Sequence, residues 1–537
     1  FDGLPGVIIA KGPPTFSKNK IKNDEDFENF LTHEGFNRRG SMAPARLKPD
    51  AYDIQHKKLA KPVPQLPSEA YEALRLTKEY LERYIDQCHF LSDEQVMHGV
   101  KDEHGDLNPL ELSTSAGYMF SNRGKKKVWV EEHIGDWEKY INEDWQSLCN
   151  PTEEITQWIW RLSQKQEKRD VVRVAERKTR MFCASPFPIL YHGRKLFGDF
   201  TRKFYHAQTK TDFVSAVGVN VFGGHWHKMV QWMTDNFRQL DGSEGDISGM
   251  DKYMSSEILM LIGNMLTEFY PKETRYIQQR HWHRYVVKIV ADIYGNIRLL
   301  LQGNPSGGPE TVVINTIVTI WMGILVRVLK FKRGGVERID LDMILPTMRD
   351  KYYGDDVFSF NRYFRFEDYS EAANILGFDY TGKNGNMFTL SFLGRRNILV
   401  GGYVLPALSA DRILSIMEWK ENDDIVASYQ RIFSAHIAAF PLLFSDALSD
   451  REVYWIARCY VKDLRERLFA EADEESRKQL VLPWSESKMA EFYTGMERAL
   501  SSKIDRNLRQ LNRKEICTRQ GFRESEEARS PASGAQA

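Results

Sequence analysis

The string Tyr352-Tyr353-Gly354-Asp355-Asp356-Val357-Phe358 puts two adjacent carboxylates in a tight corner between apolar and aromatic residues. Glycine tolerates a positive φ and aspartate tolerates a turn, so the spacing predicts a β-hairpin with both acids at its tip. Adjacent acids repel, and each resists ionising unless a cation joins them. Mg2+ is a suitable cation, because it binds a few carboxylates and keeps room for substrate phosphates. A Gly-Asp-Asp turn is common, so alone it means little more than an acidic corner.

Two further segments carry the same chemistry. Asp246-Ile247-Ser248-Gly249-Met250-Asp251 has a turn-like glycine and leads into an apolar-striped helix with Ile258, Leu259, Leu261, Ile262 and Leu266. Asp246, at a strand end, would reach the same metals, and Asp251 would lie a little further on, against a sugar. Gln302-Gly303-Asn304-Pro305-Ser306-Gly307-Gly308-Pro309-Glu310-Thr311 is a glycine-rich loop that opens a long helix, with Asn315 one turn in. Thr311 and Asn315 are four apart and share a face. Backbone at Ser306 and Gly307 can approach a nucleic-acid backbone closely. Asn315 offers an amide for a 2′-hydroxyl or for Asp251.

In this order the three segments resemble the palm motifs of viral RNA-dependent RNA polymerases: D-x4-D, then S-G-x3-T-x3-N, then G-D-D. Asp241 and Asp246 share the first spacing, but Ser248 and the helix after it favour the frame at 246 and leave Asp241 as an exposed loop acid. The resemblance implies that Asp246 and Asp355 are the principal metal ligands and that Asp356 assists. It implies that Asp251 and Asn315 recognise the ribose 2′-hydroxyl, with Thr311 supporting them and Ser306 beside the nucleotide. Two Mg2+ ions are implied as cofactors, about 3.5–4 Å apart, with Mn2+ able to substitute.

Other elements fall where this family has them. Thr114, Ser115, Gly117 and Tyr118, followed by Lys125 and Lys126, resemble the fingers element that guides template RNA. Between Arg161 and Arg180 eight bases (161, 165, 168, 169, 173, 177, 178, 180) face only Glu167, Asp170 and Glu176. Their interleaving with Val171, Val172, Val174, Met181 and Phe182 predicts a strand that aims its charges one way. The resemblance favours Lys178 and Arg180 over the triphosphate, with Arg173 beside them. Lys383, in a Gly-rich loop after a helix ending at Gly377, stands where a lysine can protonate leaving pyrophosphate; an ordinary exposed lysine is the competing reading. Ser391 to Arg396 resembles the hairpin that steadies nascent RNA. Gly394 replaces a common lysine there, which leaves Arg395 as the candidate, and Gly307 joins it as an RNA contact.

The elements that position these residues follow from the resemblance together with helical pattern. The implied fold is α+β, a right hand with fingers, an antiparallel palm sheet and a helical thumb. Residues 1–67 read as an arm bridging fingers and thumb. Residues 68–235 read as fingers, with a helix from a Ser68 cap. Residues 236–400 form the palm, with a fingers insertion near 270–300. Residues 401–518 form a thumb with helices over Glu418–Ala439 and Arg451–Ala470, and 519–537 a flexible tail. The apolar run Val312 to Leu329 contains Asn315, Thr316, Thr319 and Arg327 and suits a buried core helix better than a membrane segment.

The chain has 74 basic and 74 acidic side chains, a formal balance of zero. A polymerase needs only a local basic channel, whereas a coat protein packaging RNA needs an excess. The five cysteines are scattered, which points to reduced thiols. The pairs His225/His227 and His281/His283 read as structural. Length and the Asp246–Met254 string look most like picobirnaviruses, and next like partitiviruses. The expected partners are template RNA, nascent RNA, ribonucleoside triphosphates and a viral capsid protein, for a monomer in the virion interior and host cytoplasm. The competing readings are a reverse transcriptase, which usually lacks the Gly before the paired acids, and a non-catalytic RNA-binding or capsid protein.

Overall fold

A helix that is apolar on every side must be covered on every side. In the computed structural model, which describes residues 4–510, the run from Val312 becomes the Thr311–Arg333 helix. Its apolar window is 89% buried. It packs along the Ser68–Glu82 helix, where the Trp321 indole N–H donates to the Ala70 carbonyl at 2.8 Å. Pro67, not Ser68, takes the cap position of that second helix, and Ser68 is already its first turn.

The described residues divide into two compact units. One holds residues 4–20, 43–219 and 231–393, and the other holds 21–42, 220–230 and 394–510.

In the first unit a four-stranded antiparallel sheet runs in the order Asp350–Tyr353, Asp356–Ser359, Asp241–Ser248, Asp379–Asn386. Register pairs Asp356 with Asp246, and Asp246 with Thr381 on its other side. Asp241 therefore starts a strand and is not a loop acid, though it is exposed. A second sheet of five strands combines Val7–Lys11, Asn296–Leu300, Lys288–Ala291, Ile159–Gln164 and Met181–Ala184. Its two strands from the 270–300 region join it directly.

Under the first sheet lies a charge pair sealed from water. Arg327 Nη2 sits 2.6 Å from Asp350 Oδ2, both side chains at 0% exposure. Tyr352 and Tyr369 hydroxyls and Ser359 Oγ donate to the same carboxylate at 2.9, 3.0 and 2.6 Å. Arg327 also donates to the Gly323 and Thr347 carbonyls. A buried ion pair survives only when its remaining lone pairs and protons are met in this way.

The second unit is helical. Ala410–Glu418, Ile425–Ala439 and Leu448–Glu471 surround a core to which Phe27, Phe30 and Leu31 of the Glu25–Glu34 helix contribute. The helix expected over 418–439 is interrupted. Trp419–Lys420 pairs as a strand with Lys22–Asn23, and helix resumes after Asp424, whose carboxylate caps Ala427 N at 2.7 Å. Of residues 4–67, 21–42 belong to this unit and the rest to the other. The expected tail at 519–537, and Cys517, lie outside the described residues.

Candidate functional site

The strands Asp350–Tyr353 and Asp356–Ser359 are joined by Gly354 and Asp355 alone, with Tyr353 opposite Asp356. Gly354 has φ +59° and Asp355 does not enter the positive region, the pattern of a two-residue hairpin turn with glycine first. A Cβ at Gly354 would meet nothing within 4 Å, so backbone conformation rather than space calls for glycine here. The long core helix holds this turn in place. Gly354 N donates to Thr316 Oγ1 at 2.9 Å, and Thr319 Oγ1 donates to the Gly354 carbonyl. From the other side Ile247 N donates to the Asp355 carbonyl at 3.0 Å.

The result is a carboxylate cluster. One oxygen each from Asp246, Asp355 and Asp356 lie within 4.8 Å of one another, the one such group of potential metal ligands among the described residues. Partial burial, and then the charges of Asp355 and Asp356, hold the Asp246 carboxyl well above the usual carboxylate range. Three hard oxygen donors that resist ionising together fit a divalent cation and fit little else. One histidine of each pair serves structure: His227 Nδ1 accepts from Val404 N at 3.2 Å, and buried His281 Nδ1 meets Arg284 at 2.7 Å, while His225 and His283 are exposed.

Beside the cluster, Gly249 (φ +66°) turns the chain from the Asp241–Ser248 strand into the Met250–Tyr253 helix, which carries Asp251. Asn315 Nδ2 donates to Asp251 Oδ1 at 2.6 Å. Burial pushes the Asp251 carboxyl up, and the Asn315 hydrogen bond opposes that shift.

A family model described as viral RNA-dependent RNA polymerase matches residues 52–457. The chain belongs to this family. The polymerase is 27% identical over 432 residues to the genome polyprotein of Blackberry virus Y, covering 78% of this chain and 11% of that polyprotein. It is 25% identical over 452 residues to the genome polyprotein of Ryegrass mosaic virus, covering 78% of this chain and 13% of that one. The chain therefore spans about an eighth of the length of these relatives. Among solved structures, a Sicinivirus 3Dpol RNA dependent RNA polymerase superposes with a TM-score of 0.66 at 17% identity, covering 87% of this chain and 98% of that one. The fold is the right-handed polymerase fold. Neither a reverse transcriptase nor a non-catalytic coat protein is favoured by these matches.

The basic segment of this polymerase departs from the expected single strand. Asp170 caps Val172 N at 2.8 Å and starts a short helix, Val171–Ala175, before the Met181–Ala184 strand. Arg180 is held by Glu167 through its Nε at 2.7 Å, and its charge acts on Asp355. Arg173 acts likewise on Asp246, and Lys165 on Asp251. Lys178 pairs with Glu176 at 2.8 Å. Arg173 and Lys165 thus stand with Arg180 near the acids.

Ser306 and Gly307 dock the loop to protein. Ser306 Oγ accepts from Cys183 N at 3.0 Å, and a Cβ on Gly307 would fall 2.4 Å from the Cys183 carbonyl. The glycine is required by that strand. Thr311 Oγ1 donates to the Pro305 and Gly308 carbonyls at 2.7 and 2.9 Å and so shapes the loop rather than touching Asp251 or Asn315. Lys383 is in a strand, not a loop, opposite Glu244, with Nζ 3.6 Å from that carboxylate and its side chain 58% exposed. It shares a sheet face with Asp246, two residue pairs away.

In the fingers, Lys126 is turned inward. It is 5% exposed and donates to Thr114 Oγ1, which ties the loop closed and withdraws the Lys126 ammonium from a role on RNA, while Thr114 stays exposed. Ser115 bridges to Lys125, which stays exposed. A Cβ on Gly117 (φ +104°) would fall 2.9 Å from Pro186 Cα, and Tyr118 begins a 3-10 turn with its hydroxyl buried. Arg395 lies in the second unit on the Arg395–Val400 strand, in a pocket with Phe222, Phe492 and Tyr493.

Sequence reading missed Asn304. Its backbone N donates to the Asp251 carbonyl at 2.7 Å and its side chain reaches Asn315 at 2.8 Å. The only signal was its place in the glycine-rich loop.

Proposed function

We propose that this chain is an RNA-directed RNA polymerase that replicates and transcribes a viral RNA genome from ribonucleoside triphosphates. The observation that carries this is the Asp246, Asp355 and Asp356 cluster, assembled at the tip of a palm hairpin in a member of the polymerase family.

Asp246 and Asp355, with Asp356 beside them, would hold two divalent cations, Mg2+ by preference and Mn2+ as substitute. Bound there, such ions supply the charge that activates a 3′-hydroxyl and offsets the leaving pyrophosphate. Phosphoryl transfer otherwise asks the protein for positioning and charge. Arg180, Arg173 and Lys165 lie where their charge is felt by the acids and would receive the triphosphate, with Lys178 at the rim. Asp251 and Asn315 would read the ribose 2′-hydroxyl. Lys383 is the candidate proton donor to pyrophosphate, and release from Glu244 is what that role demands of it. Tyr118, Lys125, Ser115 and Arg395 are candidates for RNA contact.

The source virus is read from two sides. The Asp246–Met254 string favours a picobirnavirus-like polymerase with a double-stranded genome, whereas the plant-virus polyproteins favour a potyvirus-like lineage. A capsid partner, a monomeric state, and residence in the virion interior and host cytoplasm belong to the first of these readings.

The test is incorporation of labelled ribonucleotides on an RNA template with Mg2+. Template-dependent product from wild type supports the reading. Product of equal amount from Asp355→Ala would overturn the site.

A further inference from the structure

Asn304 is 3% exposed and Asn315 9%. The two side chains and Asp251 form a line. Asn304 Nδ2 donates to Asn315 Oδ1 at 2.8 Å, and Asn315 Nδ2 donates to Asp251 Oδ1 at 2.6 Å. The direction of this line does not depend on which end of either amide is called oxygen. An ionised carboxylate has no proton to give, so Asn315 must turn its NH2 toward Asp251. Its carbonyl then faces Asn304, and Asn304 must turn its own NH2 toward that carbonyl. The Asn304 carbonyl is left over. Its oxygen is buried and without a hydrogen-bond partner among the described residues, beside a 40 Å³ cavity that Asp251, Lys252 and Ser306 also line. A buried unpaired acceptor is tolerated where something is gained in exchange.

We propose that Asn304 is a positioning residue that locks the Asn315 amide in one orientation and so sets how strongly the site prefers ribose over deoxyribose. This rests on the reading of Asp251 and Asn315 as the sugar-recognising pair. The lock is double, because Asn304 holds Asn315 by its side chain and holds the Asp251 backbone by its own N–H. Its Nδ2 also reaches the Thr311 carbonyl at 3.3 Å, so the donor is fixed from the helix as well. Without that donor, the Asn315 carbonyl loses its buried partner, only Asp251 still restrains the amide, and the side chain can swing from the place it holds beside Asp251. The pair then no longer offers one fixed pattern to a 2′-hydroxyl, and a substrate lacking that hydroxyl has less to lose.

The experiment measures kcat/KM for a ribonucleotide and its 2′-deoxy counterpart in wild type, Asn304→Ala, Asn304→Asp, Asn315→Ala and the Asn304→Asp/Asn315→Ala double variant, with Tm as the control for folding. Loss of one buried hydrogen bond corresponds to a change on the order of tenfold. Asn304→Ala should lower the ribose-to-deoxyribose ratio by about that factor. Asn304→Asp should lower it further, since two carboxylates then compete for one NH2. In the Asn315→Ala background Asn304→Asp should change the ratio little, because there is no amide left to orient.

A purely structural role would instead lower both substrates' kcat/KM together and leave the ratio unmoved, which overturns the proposal. An undiminished effect of Asn304→Asp in the Asn315→Ala background overturns it as well. If Asn315→Ala itself leaves the ratio at the wild-type value, the sugar-reading pair is wrong. If Asn315→Ala lowers the ratio and both Asn304 variants do not, the pair stands and the lock alone is wrong.

Discussion

The two ends of one hairpin strand treat a carboxylate in opposite ways. At its base, Asp350 is fully buried and every lone pair is met, by Arg327, Tyr352, Tyr369 and Ser359. At its tip, five and six residues on, Asp355 and Asp356 join Asp246, with one oxygen of each within 4.8 Å of the others. Arg180 and Arg173 are close enough to matter, yet Glu167 engages Arg180 and the Asp246 carboxyl is still held above the usual range. The base is solved for stability, and the tip keeps like charges together. Such a cluster is a place for a cation from outside, and its rigid support holds it together against its own repulsion. A third carboxylate, Asp144, belongs with the base. Arg284, His192 and Trp158 surround it at 2.6 Å, 2.5 Å and 2.6 Å, and it sits well below the usual carboxylate range despite burial, through the Arg284 charge first.

The contrast can be broken in several ways. Asp355→Ala should lower ribonucleotide incorporation by on the order of 10³-fold or more, the loss of several kcal/mol of charge stabilisation, while Tm stays at or above wild type. A Tm several degrees lower would mean that the tip, too, is built for stability. Arg327→Met should do the reverse at the base. It strands Asp350 in the core and should cost about 3–5 kcal/mol of unfolding free energy by denaturant titration. A cost below about 1 kcal/mol would show the pair to be dispensable.

Asp144→Asn should cost a similar amount at neutral pH, and its pH dependence has a definite sign. The folded-state carboxyl titrates below the unfolded one, so its contribution is complete above about pH 4 and is lost as pH falls below that. The difference in Tm between wild type and Asp144→Asn should therefore shrink in acid. A difference that widens below pH 4 would contradict the assignment. The smallest effect is at the turn. Gly354→Ala meets no neighbour and should cost only the left-handed backbone penalty of about 1–2 kcal/mol, readable as a shift in denaturant midpoint. A larger loss would reveal a contact at the tip that the present geometry lacks.

Much of this was legible in the sequence, for definable reasons. The hairpin turn was read because it needs glycine, a local rule, and the three acids were joined as metal ligands through their resemblance to the motifs of viral RNA-dependent RNA polymerases. The long helix from Thr311 was read because it is apolar on all faces. What escaped was set by partners distant in sequence. Lys126 looked like an RNA contact because its segment resembles the fingers element that guides template, and only the fold brings Thr114 over it. Gly307 looked free to approach a backbone, and it does, but the backbone is that of Cys183, 124 residues earlier. Asn304 carried no signal beyond its place in the glycine-rich loop, because its partners, Asp251 and Asn315, are joined to it only through the folded loop. The Val171–Ala175 helix replaced a strand because Asp170 offered a cap that valine-rich patterning does not register.

The most direct test of the central contrast is the melting temperature of wild type and Asp355→Asn, with and without Mn2+ or Mg2+. A ligand that binds only the folded state raises Tm in proportion to how far its concentration exceeds its Kd. The account predicts that wild type gains stability with metal, while Asp355→Asn melts no lower than metal-free wild type and responds little to either ion. Equal metal-induced shifts in both proteins, or none in wild type, would contradict it.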